Sequence, residues 1–163
     1  MIPQPTIEGD SPDIPPVPEV DSEEAFDGDV TLYLRSSAPD VARDRQRAAL
    51  ERMKGLRAAD AIETLETVQW PNKVSEPADG PDSETVACYD EFADTVGERS
   101  LEPFFEQRPG VGRLERVIVL PVICIAARRG GELVGVYPRW NDGTHESVED
   151  GIRSLAAGDV RNI

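Results

Sequence analysis

The chain has 163 residues, 32 of them acidic and 17 basic, for a net charge of −15 and a pI near 4.4. That length suits one domain with a real core and would cramp two. Only two of the bases are lysines, Lys54 and Lys73. A surface rich in carboxylates and poor in lysine suits concentrated salt, where a screening length of about 3 Å removes most self-repulsion. The expectation is the cytoplasmic protein of a halophile.

The same acidity repels phosphate backbones, so no nucleic-acid partner is expected. No membrane partner is expected either. The longest apolar run, residues 117–127, is about half the ~18 residues a spanning helix needs, and Pro121 lies inside it. Residues 1–10 lack the basic start and apolar run of a secretory signal. Cys88, Cys124 and a single histidine, His145, do not make a zinc site of the usual spacing, and no metal or cofactor is expected.

Residues 1–29 are rich in Pro, Asp and Glu and read as a disordered tail, or alternatively as a docking segment for a partner. From Val30 the pattern changes. Val30, Leu32 and Leu34 alternate with polar neighbours, which predicts a strand. Pro39 suits a first helical turn and Ser37 can cap it. Ala42, Ala49, Met53 and Leu56 then recur at helical spacing, with Arg43, Arg45, Arg47 and Arg52 between them and Gly55 near the expected end. Residues 63–70 predict a second strand stopped by Pro71, and residues 72–83 a polar loop.

Residues 84–96 predict a second helix with Val86, Tyr89, Ala93 and Val96 on one side and Gly97 as its stop. Residues 98–112 are irregular, with Leu101, Phe104 and Phe105 folding back as a flap. Residues 114–127 are apolar throughout, as expected for a strand covered on both faces. Gly130-Gly131 makes a two-residue turn into a returning strand at 132–137. Asn141-Asp142-Gly143 is a turn. Thr144 or Ser147 caps a last helix whose Val148, Ile152, Leu155 and Ala156 face inward. The order is βαβ-α-ββ-α, a four-stranded mixed sheet with helices on both faces. The first two strands should be parallel through a right-handed crossover.

Two stretches carry a family resemblance. "VTLYLRSSAPDVARDRQRAAL" (residues 30–50) resembles the start of a glutaredoxin, where a strand meets a Cys-Pro-x-Cys turn at a helix mouth. "VLPVICIAARRGGELVGVYP" (residues 119–138) resembles the later hairpin of the thioredoxin fold, which a cis-proline opens. The resemblance implies a thioredoxin-like domain over residues 30–160, a cis bond at Leu120–Pro121, and proximity of Pro121 to the first helix. Ala38, Pro39, Asp40 and Val41 stand at the exchange motif, so no thiolate attacker or resolving thiol is present.

Three functional readings follow. The first is a non-catalytic module that binds a protein or peptide in a groove formed by Ser37, Ala38, Pro39, Asp40, Leu120 and Pro121. The second is a single-cysteine redox sensor at Cys88; against it stand two reduced thiols acting as small hydrophobes, or a Cys88–Cys124 bridge. The third is a transcription-associated regulator reading DNA with the arginine-bearing first helix. A serine nucleophile at Ser36 or Ser37 would need His145 as its base; His145 reads as a solvated first-turn helix residue. Trp140, beside Arg139, is a candidate protein contact. The balance favours a binding module over an enzyme. Partner identity and oligomeric state stay open.

Overall fold

A computed structural model describes residues 26, 28–102, 104–158 and 160. Of the expected tail at residues 1–29, residues 1–25 and 27 lie outside the described residues. Phe26 is buried, its N–H donates to the Ala61 carbonyl at 2.8 Å, and its ring lies 4.8 Å from the Arg129 guanidinium carbon.

The main sheet begins with β1 (Asp29–Arg35), which leads into α1 (Asp40–Ala58) and then β2 (Thr64–Trp70). The alternation of Val30, Leu32 and Leu34 makes β1. The apolar stripe Ala49, Met53 and Leu56 buries one side of α1. Pro39, not Ser37, is the N-cap residue, and no side chain caps this end. The helix also runs through Gly55 to Ala58, because its buried stripe outweighs a glycine penalty of about 1 kcal/mol.

A second, smaller sheet interrupts the expected order. After β2 come β3 (Lys73–Glu76), α2 (Pro81–Val96), the single turn α3 (Glu98–Leu101), β4 (Glu106–Pro109) and β5 (Arg116–Val119). The strands pair in the order β3-β5-β4. Thus the segment 114–127 is two strands in two sheets. Pro121 lacks a ladder donor and sits in the break, before β6 (Ile123–Arg129). Gly130 and Gly131, with φ of 62° and 83°, turn the chain into β7 (Glu132–Tyr137). A short hairpin, β8 (Arg139–Asn141) and β9 (Thr144–Glu146), precedes α4 (Val148–Ala156). Ser147 and Asp150 close a reciprocal capping box at the start of α4.

The main sheet has the order β2-β1-β6-β7, with β1 and β2 parallel and the other pairs antiparallel. It separates two cores. On one face α1 and α4 cover Val30, Leu32, Ile123, Ile125 and Ala127. On the other, α2 and the small sheet cover Tyr33, Trp70, Cys124 and Ala126. The fold is therefore mixed α/β with a four-stranded mixed sheet and helices on both faces. The expected flap is present: Leu101 and Phe105 are buried, and Phe105 packs edge-on to Trp70 and Phe92.

Candidate functional site

The cis peptide bonds of the described residues fall at Glu76–Pro77 and Tyr137–Pro138, not at Leu120–Pro121. The backbone groups expected to hold a peptide there are occupied. The Leu120 N–H donates to the Asn72 carbonyl at 2.9 Å, and its carbonyl accepts from Arg35 at 3.3 Å. The Pro121 carbonyl accepts from the Trp70 indole at 3.1 Å. Arg35, which sequence reasoning did not single out, also donates to the Ser37 carbonyl at 2.8 Å. It thereby ties the junction 37–40 to the segment at 120.

The cysteines are separate free thiols, Cys124 buried and Cys88 half-buried. Burial raises the Cys88 pKa to about 11, partly offset by its hydrogen bond to the Tyr33 hydroxyl at 3.4 Å. A thiol so poor in thiolate is a weak nucleophile at neutral pH. Both cysteines should therefore react with a maleimide in the folded protein no faster than the chain unfolds; fast labelling of Cys88 would restore the sensor reading. A serine nucleophile is not assembled. Ser36 donates to the Trp70 carbonyl at 3.3 Å. His145 lies on β9, not in the last helix, and stacks on Phe104 at 4.7 Å between ring centroids. Trp140 is 37% exposed beside the same two rings.

Helix α1 has a different character. It carries Arg43, Arg45, Arg47, Arg52, Lys54 and Arg57 against Asp40, Asp44 and Glu51, six bases to three acids, or +3. Helix α2 carries Asp82, Glu84, Asp90, Glu91 and Asp94 with no base. The bases of α1 divide by partner. Arg45 is engaged with Glu149 of α4 through two hydrogen bonds of 3.0 Å, which raise its pKa and lower that of Glu149. Arg47 pairs within the helix with Asp44 at 3.2 Å, both exposed. Among the described residues Arg43 and Lys54 make no ion pair and stand in solvent.

Arg43 and Arg47 line one wall of a cleft of about 320 Å³, with Arg35, Gln46, Leu50 and Gln69. Gln46 holds the junction behind it, donating to the Arg35 and Val122 carbonyls at 3.0 and 2.8 Å. The cleft thus carries the exposed guanidinium groups of Arg43 and Arg47 beside Arg35. Guanidinium donors suit phosphate oxygens and base-edge acceptors.

The fold and this charge distribution define an acidic α/β domain with one basic helix. The chain belongs to the helix-turn-helix domain family: a family model of that description matches residues 22–160. No curated protein and no solved structure matches the chain.

Two expectations are corrected by this finding. The thioredoxin- or glutaredoxin-like family assignment is overturned, because the matching family is a helix-turn-helix one. The resemblance rested on a strand–helix junction and a hairpin, which many folds share, and on a cis-proline that Pro121 does not supply. The expectation of no nucleic-acid partner also fails against that family. Net charge averages over the chain, whereas a duplex meets a local surface, and α1 is locally positive. Among the described residues, α2 and α3 are the helices that follow each other with only a turn, Gly97 at φ 91°, between them. That corner carries Glu98 and Glu102 about Arg99, besides the acids of α2, of which Asp90 and Glu91 pair with Arg116 and Arg128. No described helix meets the length and apolarity needed to cross a membrane.

Proposed function

We propose that this protein is a transcription-associated regulator that binds duplex DNA through the basic face of α1. The observation that carries the reading is the helix-turn-helix family match over residues 22–160. The charge of α1 supports it and selects the surface, since the acids of α2 and of the α2–α3 corner would meet phosphates with like charge. Arg43 and Arg47, with Lys54 further along the helix, would contact backbone phosphates. Gln46, engaged by its own hydrogen bonds, fixes the register of the helix mouth rather than reading bases.

The test is a fluorescence-anisotropy titration with a labelled duplex over a KCl series, at concentrations where circular dichroism shows the chain folded. Three phosphate contacts should give log K falling against log salt with a slope of about −3, at about 0.9 per phosphate. Absence of binding throughout the folded range would refute the proposal.

A further inference from the structure

We propose that the cleft between the carboxyl ends of β1 and β2 and the N-terminal half of α1 seats a phosphomonoester dianion on Arg35, Arg43 and Arg47, and that a small phosphorylated ligand there competes with duplex DNA. The competition rests on the reading of α1 given above; the seat does not. In a chain with 32 acids among 163 residues, a concave surface with three arginines and no carboxylate stands apart. Among the described residues no acid lines this cleft. Two other clefts carry Glu91 and Glu132 beside Arg129, and Glu76 and Glu115 beside Arg108 and Arg116. In those two an anion meets like charge, and in this one it does not.

The donors differ in how far they are already committed. Arg35 is half-buried and held in place, its Nε donating to the Ser37 carbonyl and its Nη1 to the Leu120 carbonyl. Its Nη2 makes no hydrogen bond among the described residues and is left for a ligand. Arg47 commits Nη1 to Asp44, and Arg43 commits none of its nitrogens. Gln69, exposed near the end of β2, adds a side-chain carboxamide with no hydrogen bond among the described residues. Gln46 lines the same cleft, but the Arg35 and Val122 carbonyls already take its amide hydrogens, so it supports the wall rather than binding.

Size and charge select the ligand. At about 320 Å³ the cleft lies at the small end of ligand sites, with room for one phosphate and a small substituent. A backbone diester has two unshared oxygens and meets the exposed Arg43 and Arg47 from outside. A monoester has three, so each of the three guanidinium groups can take one in a charge-assisted bond. Its second negative charge strengthens the attraction to three cations. The position agrees, because ligands of open α/β sheets lie outside the carboxyl ends of parallel strands, and β1 and β2 are a parallel pair. An occupied seat engages Arg43 and Arg47, the groups assigned above to the duplex, so the two ligands exclude each other.

The seat is tested without DNA, so its failure is separate from failure of DNA binding. The full chain is titrated with inorganic phosphate at pH 8, where the dianion predominates, at constant ionic strength and the lowest KCl concentration at which circular dichroism shows it folded. Amide shifts in the NMR spectrum should saturate at one site centred on residues 34–36, 43–50 and 69. Gln69→Glu sets a carboxylate into the cleft from an exposed position and should weaken binding at least tenfold with an unchanged circular dichroism spectrum. Should it not fold, Arg43→Ala decides by the same measure. Arg57→Ala makes the same change of charge in the last turn of α1, outside the cleft, and should leave the affinity within twofold. Dimethyl phosphate, a diester, should bind at least tenfold more weakly than phosphate. A parallel titration with ribose 5-phosphate separates the sources: tighter binding than inorganic phosphate identifies a sugar phosphate, and weaker binding the free ion. In the anisotropy titration, saturating phosphate should weaken duplex binding beyond the effect of KCl at equal ionic strength. Shifts that do not saturate, equal losses in Gln69→Glu and Arg57→Ala, or dimethyl phosphate bound as tightly as phosphate would overturn the seat. Undiminished duplex affinity at saturating phosphate would overturn the competition.

Discussion

Replacing Arg43 and Arg47 together by alanine lowers duplex affinity by at least about tenfold and flattens the salt dependence by about two units of slope, one for each lost phosphate contact. Both side chains are exposed, and the one ion pair involved, Arg47–Asp44, is an open i,i+3 contact. Such pairs contribute about 0–1 kcal/mol, so the melting temperature should hardly move. Arg45→Ala is the internal control. Its guanidinium already serves Glu149 of α4, so its loss should affect affinity less and the docking of α4 more. The measurement is the anisotropy titration with all three proteins. Equal affinities for the wild type and the double variant, with equal slopes, would move the contact surface away from α1.

Phe92→Ala should cost about 3–5 kcal/mol of stability. The ring is fully buried and meets Tyr33 and Phe105 edge-on at 6.2 and 6.0 Å between centroids. It thus joins α2 to the main sheet and to the segment after α3. Truncation leaves a cavity bounded by three elements, and rigid aromatic neighbours collapse poorly into such a space. Phe92→Leu should recover roughly half of the loss, because much of the apolar volume returns. Equilibrium denaturation at one fixed KCl concentration measures both. A loss below about 1 kcal/mol for the alanine variant would mean that the second core does not depend on this ring.

Phe92 also shows how periodicity reads a helix incompletely. Val86, Tyr89, Ala93 and Val96 mark the buried side of α2 in the sequence, yet the most deeply buried residue lies between two of them. A stripe locates a face to within a residue or so. Which side chain occupies its centre depends on what packs there, in this case Tyr33 from a strand nearly sixty positions earlier. The candidate site divides in the same way. The arginines of α1 are visible in the sequence at once, but their partners are not. Only the position of α4 shows that Arg45 is engaged, while Arg43 makes no ion pair among the described residues. Arg35 was missed because nothing local marks the last residue of a strand as a bridge to position 120.

The sequence by itself determined the long elements: β1, α1, β2, α2, the β6–β7 hairpin and α4. Their apolar repeats, Gly-Gly turn and capping residues act within a few positions of the chain. It also determined that the total charge would be strongly negative. Only the tertiary structure decided that residues 114–127 divide between two sheets, that β3, β4, β8 and β9 exist, and that a positive surface persists on α1. Strands of three or four residues have too little pattern to announce themselves and take their identity from a partner strand. Local charge depends on which acids fold beside which bases, and that is a property of the packed molecule rather than of the count.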